Sequence, residues 1–248
     1  GYPFASVKVD KISYVDSASS QLIVQIEIDE GSKVKIDRIE IEGNTDTKAD
    51  VVIRETRIQR GEVYNSDRIK NIPRLLNRLK IFSSVNEPSL YLIPDTSRII
   101  ENINTQNNPF QSLSTKGEKE IQSGGLLIKV VEGSTNTFDG VVGYLPGSVG
   151  EKGYFTGLVD VGMRNLFGTG RKLSVKWMRE DKFSQEIGIR YVEPWLFDYP
   201  ISVSGSFFQR QQDTTYIKRI TELKSDFLIT ENFTLSGMFS RENIIPSS

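Results

Sequence analysis

This chain contains no histidine and no cysteine, which narrows the chemistry its side chains could carry. The first absence removes the commonest general base and metal ligand, and the second removes disulfides and thiolate metal sites. Phe167-Gly168-Thr169-Gly170-Arg171-Lys172 has the composition of a loop that cradles phosphate. It lacks the G-x-x-x-x-G-K-[ST] spacing, however, and runs into a strand pattern where such a loop needs a helix. Asp29-Glu30 and Glu180-Asp181 are adjacent carboxylates that could share acid and base roles, but both sit beside turns and read as solvated strand ends. Asp160, Glu186 and Arg190 read as polar residues facing a water-filled interior, where they satisfy one another. No catalytic set, cofactor site or metal site emerges, so the expectation is a protein that is not an enzyme.

Composition narrows the class further. Among 248 residues there are 31 basic and 32 acidic side chains, a formal net charge of −1, and 37% are hydrophobic. Nucleic-acid binding normally shows as a basic excess, so no nucleic-acid partner is expected. The length admits one to three domains with a packed core. No run approaches the roughly 20 apolar residues of a membrane-spanning helix. Gly1-Tyr2-Pro3-Phe4 has neither the basic region nor the apolar core of a signal peptide, so an exported protein would have had its beginning cut away.

The most strongly patterned stretch is 153–210. Phe155, Val159, Val161 and Met163 alternate with Tyr154, Thr156, Asp160 and Arg164, and Leu173, Val175 and Trp177 alternate with Lys172, Ser174 and Lys176. Ile187, Ile189 and Tyr191 then face away from Glu186 and Arg190, and Ile201, Val203 and Phe207 from Ser202, Ser204 and Ser206. This is strand periodicity, and turn-rich segments such as 165–170 separate the runs. An antiparallel meander with one apolar and one polar face results. A soluble β-sandwich and an outer-membrane barrel both give that alternation, the first burying the apolar face on a second sheet and the second turning it to lipid.

Ahead of it, 5–15 and 21–29 read as a strand pair joined by the polar turn 16–20. A third strand at 33–41 carries Val34, Ile36, Ile39 and Ile41. Helices are expected at 47–57 and from Asn65 or Ser66, the second with Ile69, Ile72, Leu75, Leu76 and Leu79 on one stripe and Pro73 kinking or shortening it. Extended segments follow at about 84–93 and 126–132, giving the order β-α-α-β-β. Between them, 94–124 is rich in Asn, Gln, Ser, Thr and Lys and reads as a long insertion. Val24-Gln25-Ile26-Glu27-Ile28-Asp29-Glu30-Gly31 also repeats as Leu126-Leu127-Ile128-Lys129-Val130-Val131-Glu132-Gly133. That spacing suits tandem domains, so 1–32 is expected to be the end of a preceding copy.

Gly43-Asn44, Gly61-Glu62-Val63-Tyr64, Leu79-Lys80-Ile81-Phe82-Ser83-Ser84-Val85 and Val130-Val131-Glu132-Gly133 resemble a POTRA domain. Asn165-Leu166-Phe167-Gly168-Thr169-Gly170 and Tyr191-Val192-Glu193-Pro194-Trp195-Leu196-Phe197 resemble the start of the barrel in the BamA/TamA-type outer-membrane assembly superfamily, the bacterial surface antigen family. The resemblance implies an α+β POTRA domain at 33–133, then antiparallel transmembrane β-barrel strands from 138 to 248. About seven candidate strands follow Phe138, the last at 233–241. The superfamily's Arg-Gly-Phe/Tyr loop motif and C-terminal aromatic strand are not found, so the resemblance covers an incomplete barrel.

The implied function is assembly, insertion or translocation of other proteins at the outer membrane, with the POTRA domain in the periplasm. Ser84, Val85, Asn86, Glu87, Leu90, Tyr91 and Leu92 would form a sheet edge that takes up an extended client by β-augmentation. The plainer reading is an edge blunted by Glu87 and Pro88 and covered by the 94–124 insertion. Phe138, Gly140, Val142, Gly143 and Tyr144 would belong to a first barrel strand that opens laterally, although the glycines equally suit a bulge or bend. Trp177, Tyr191, Trp195, Phe197 and Tyr199 would form interfacial aromatic girdles in a barrel, or core in a sandwich. Partners would be unfolded outer-membrane proteins or secreted clients, outer-membrane lipids, and accessory lipoproteins or periplasmic subunits. A two-partner-secretion transporter is the alternative within the superfamily, and a soluble periplasmic or surface β-sandwich binding module the alternative outside it.

Overall fold

A computed structural model describes residues 2–14, 22–94, 121–147, 149–150, 152–212, 215–230 and 233–246. The expected turn 16–20 and residues 95–120 of the expected insertion lie outside the described residues. In chain order the elements are β1 (Ser6–Tyr14), β2 (Leu22–Asp29), β3 (Val34–Glu42), α1 (Ala49–Thr56), β4 (Glu62–Val63), α2 (Ser66–Asn77), β5 (Phe82–Val85), β6 (Ser89–Leu92) and β7 (Gln122–Glu132). There follow β8 (Asn136–Leu145), β9 (Tyr154–Leu166), β10 (Arg171–Arg179), β11 (Gln185–Glu193), β12 (Ile201–Gln212), β13 (Tyr216–Leu228) and β14 (Thr234–Pro246). No described helix is long and apolar enough to cross a membrane, which says nothing of strands. The chain divides into two compact units, one of Gly1–Glu42, Thr56–Leu75 and Asn86–Lys129, the other of Gly43–Glu55, Leu76–Val85 and Val130–Ser248.

In the first unit, β1 and β2 form a two-stranded antiparallel sheet that sets Val7 against Ile28, Val9 against Ile26 and Ile12 against Val24. β3 pairs in parallel with β7 and antiparallel with the two-residue β4. A register shift between Ile36 and Arg38 explains why the apolar residues of β3 skip from Val34 and Ile36 to Ile39: the extra residue of a bulge restores the inward side. Val34, Ile36, Ile39, Ile69, Ile72, Leu126 and Ile128 are buried in its core. Asn65 Oδ1 caps α2 by accepting from the N–H groups of Asp67 (3.0 Å) and Arg68 (3.1 Å). The helix continues through Pro73 to Asn77, where the sequence suggested shortening.

β7 begins at Gln122, inside the stretch read as insertion, because Gly124 and Gly125 belong to the strand. A Cβ on Gly125 would lie 2.1 Å from the Tyr91 ring, and one on Gly124 2.6 Å from Val34 Cγ1. Here glycine signals close cover by neighbours, not a loop.

In the second unit, β5 pairs antiparallel with the end of β7, Phe82 facing Glu132 and Val85 facing Val130. Gly43, at φ +91°, passes so close to this strand end that a Cβ would stand 1.9 Å from the Val130 carbonyl oxygen. α1 contributes the buried Val51 and Val52. The remainder is one seven-stranded antiparallel sheet, β8 to β14, in which each strand pairs with its neighbour in the chain.

The registers resolve the alternation into two faces. Val159, Trp177 and Ile187 lie side by side, as do Val161, Val175, Ile189 and Phe207. On the other face Glu186, whose side chain is only 13% exposed, receives Lys176 Nζ at 3.7 Å and Arg210 Nη1 at 3.9 Å, and Lys218 meets Glu242 at 2.9 Å. Asp160 is the cross-strand partner of Lys176. Opposite charges adjacent across strands satisfy one another on this face, while the other face is mainly apolar and carries the Arg171–Glu193 pair (2.8 Å) at the strand ends. Strands β8 and β14 each bond to a single neighbour, so the described sheet is open.

Candidate functional site

The segment expected to be one edge strand is two. Ser84 and Val85 lie in β5, Leu90, Tyr91 and Leu92 in β6, with Asn86 and Glu87 between them. Both short strands pair with β7. Asn86 N–H still donates to the Lys129 carbonyl (3.0 Å), and Ile93 N–H to that of Ser123 (2.9 Å). Pro88, which has no N–H, sits in the interruption. Among the described residues no strand pairs with the far side of β5 or β6.

Phe138, Gly140, Val142, Gly143 and Tyr144 all lie in β8, the first strand of the seven and an edge. The β8–β9 register runs without a shift from Asn136 opposite Met163 to Leu145 opposite Tyr154, so neither glycine marks a bulge. Phe138 is 74% exposed.

The five aromatics separate. Trp177 and Tyr191 are on the apolar face near opposite ends of β10 and β11. Trp195, Phe197 and Tyr199 belong to a 3₁₀ turn around Leu196–Asp198, in which Trp195, Phe197 and Asp198 all have positive φ. Phe197 and Tyr199 are exposed, whereas the half-buried Trp195 donates its indole N–H to Glu55 Oε1 at 2.6 Å. A left-handed bulky residue is strained, and this hydrogen bond is one of the contacts that hold it. A cavity of about 460 Å³ beside it is lined by Glu55, Trp195, Ser202, Lys224, Asp226 and Ser236 among others.

The densest polar cluster of the second unit is one that the sequence did not single out. It joins the segment 44–55 to the turn 165–170. Asn165 Nδ2 donates to Thr47 Oγ1 (2.9 Å) while its Oδ1 accepts from Gly170 N–H (2.8 Å). Lys48 N–H donates to the Gly168 carbonyl (2.9 Å), and Arg54 Nη2 to that of Thr169 (2.7 Å). Gly168, at φ +70°, lies where a Cβ would be 2.1 Å from the Asp46 carbonyl oxygen. Thr47 itself is 2% exposed, and Asn44 Nδ2 donates to its carbonyl (2.9 Å).

Glu132, the last residue of β7, closes the cluster from the other side. Its carboxylate accepts from Thr45 Oγ1 (2.5 Å), Asp46 N–H (2.9 Å) and Thr47 N–H (2.7 Å). Burial works to raise this carboxyl, but the hydrogen bonds prevail and bring it from 4.5 down to about 2. Burial lowers the Arg54 guanidinium from its ordinary value, while Glu55, Asp198 and Glu193 counter the shift. Arg54 Nε is buried without a partner among the described residues. The arrangement binds backbone and orients turns.

Two family matches fall on these two regions: residues 34–108 match POTRA, described as a surface antigen variable number repeat, and residues 165–245 match the Omp85 superfamily domain. The chain carries a POTRA repeat followed by an Omp85 superfamily domain. It is similar to the outer membrane protein assembly factor BamA of Nitratidesulfovibrio vulgaris, 28% identical over 179 residues, which is 71% of this chain and 18% of that protein. It is also similar to a putative outer membrane protein assembly factor of Treponema pallidum, 24% identical over 206 residues, or 82% of this chain and 21% of that one. The chain thus spans about a fifth of the length of these relatives. The crystal structure of BamA from Haemophilus ducreyi lacking POTRA domains 1–3 covers 98% of this chain with 42% of its own, at a TM-score of 0.62 and 16% identity, and shares the fold.

Within an Omp85 protein, β8–β14 are barrel strands of the outer membrane and the POTRA repeat is periplasmic. The apolar face of the sheet is then the lipid face, not half of a sandwich core. Segment 44–55 lies in the POTRA match and the turn 165–170 opens the Omp85 match. The newly found cluster is therefore a junction of the two. Glu132 and the turn 165–170 fall in motifs visible in the sequence, but their pairing was not legible, because most of their partners are backbone groups without a side-chain signature.

Proposed function

We propose that this chain is part of an outer-membrane protein assembly factor whose POTRA sheet receives unfolded client and whose barrel assists its insertion. The observation that carries this reading is the β5–β6 edge, unpaired on its outer side among the described residues. Main-chain hydrogen bonds offered there are indifferent to client sequence, which suits a factor serving many precursors. The names of the two curated relatives support the same class. On this reading Ser84, Val85, Asn86, Glu87, Leu90, Tyr91 and Leu92 contact client, and Phe138, Gly140, Val142, Gly143 and Tyr144 form the side of the barrel that opens. Trp177, Tyr191, Phe197 and Tyr199 border the lipid, while Trp195 serves the junction. The domain division is 1–32 as the end of a preceding POTRA, 33–133 as a complete one with an insertion at 94–124, and 138–248 as barrel.

The test places a photoactivatable residue at Ser84, Leu90 or Leu92, with the exposed Lys70 of α2 as control, in the full-length protein in outer-membrane vesicles. Unfolded barrel precursors should crosslink at the edge and not at Lys70. Equal yields at Lys70 would remove the edge from the mechanism. Capture of one secreted protein alone, with no barrel precursor, would instead identify a two-partner-secretion transporter.

A further inference from the structure

We propose that Glu132 is a positioning residue that couples the client-receiving edge to the periplasmic turns of the barrel, an inference that rests on the assembly reading above. Glu132 ends β7, and β5 pairs with those last residues, Val85 opposite Val130 and Ser84 opposite Val131. A strand added outside β5 therefore acts on the same stretch of backbone that carries Glu132. Its carboxylate in turn fixes the backbone of Asp46 and Thr47 with two N–H donors, and Thr45 with a hydroxyl. Thr47 passes the constraint on through its hydroxyl to Asn165, and Lys48 through its N–H to Gly168. Between the edge and the turn joining β9 to β10 the path runs through Glu132, the segment 45–48 and then Asn165 and Gly168, and three of its five hydrogen bonds engage a backbone N–H.

The geometry also says why the link is a carboxylate. Three donors converge on two oxygens from one loop, an arrangement that a carboxylate accepts in full and an amide only in part. Gly43 allows the loop to lie directly against β7, since any side chain there would strike the Val130 carbonyl. Movement of the strand end and movement of 45–48 are thus one motion.

The experiment is hydrogen exchange, read by mass spectrometry, on the full-length protein in lipid nanodiscs, for the native chain, Glu132→Gln and Asn165→Ala. Loss of charge-assisted bonds is expected to speed exchange roughly tenfold in 45–48. The coupling predicts that Glu132→Gln also speeds exchange in 165–170, and that Asn165→Ala, acting from the other end, speeds exchange in 45–48, with the β10–β11 interior unchanged. Insertion of a barrel precursor should slow in both variants while its crosslinking at Ser84 persists. Faster exchange in 45–48 alone, or unchanged insertion with 165–170 unaffected, would overturn the coupling. Absence of any crosslink in the native protein would instead defeat the assembly reading, and the exchange data would still decide whether Glu132 positions the turn.

Discussion

The two ends of the barrel sheet close their hairpins in different ways. The turn between β10 and β11 bonds to itself: Asp181 Oδ1 accepts from Phe183 and Ser184 N–H, both at 2.7 Å, and Arg179 donates to the carbonyls of Asp181 and Lys182. The turn between β9 and β10 leaves its Gly168 and Thr169 carbonyls to be satisfied by Lys48 and Arg54. These bonds of the first turn run between residues 179 and 184. The second is complete only when segment 48–54 of the POTRA match is in place, so its conformation reports on that segment.

Substituting Gly168 by Val should break the contrast most strongly. The new side chain meets a left-handed backbone and the Asp46 carbonyl together, for a loss of at least about 2 kcal/mol. Urea unfolding of the detergent-solubilised protein would measure it, with Gly205→Ala, which meets open space, expected within about 1 kcal/mol. Thr47→Val keeps volume but leaves the Asn165 amide without its acceptor, at about 1–2 kcal/mol. Adding Asn165→Leu should recover part of that, because removing both partners costs less than orphaning one. If the double variant is no better than Thr47→Val alone, the hydrogen bond is not what joins the two segments.

Acid should sharpen the comparison next. The Glu132 carboxyl is depressed from 4.5 to about 2, so its contribution is fully present above its unfolded value and is lost as pH falls through the folded one. The stability gap between the native chain and Glu132→Gln should therefore stay constant above pH 5 and shrink between about 4.5 and 2. A gap independent of pH would mean that the charge plays no part. Asp181→Ala should have the smallest effect: faster exchange of the Phe183 and Ser184 amides, no measurable movement of the unfolding midpoint, and no response at 165–170.

Much of the fold was legible because a strand writes its two faces into alternate residues. Val159, Val161, Val175, Trp177, Ile187 and Ile189 are adjacent in space as their spacing foretold. The α2 stripe was legible for the same reason at helical period, with Leu79 falling just beyond the helix and only half-buried. What escaped were features carried by backbone or by neighbours. β4 is two residues long, too short for any period, and β7 starts earlier than its apolar run because Tyr91 covers Gly125. At the candidate edge the residues were legible but not the break at 86–88. At the junction the motif Asn165–Gly170 was visible, whereas its partners at 45–54 could be paired with it only by the fold.

From β8 to β14 every strand bonds to the strand beside it in the chain, whereas β3 must wait for β7, with Val34 opposite Gln122. The rate of ordering falls with the sequence distance that each pairing must close. The barrel segment can therefore zip up hairpin by hairpin as it enters the bilayer, while the parallel pairing of the POTRA sheet has to close a far longer loop. Of the two regions, the one destined for lipid has the shorter search.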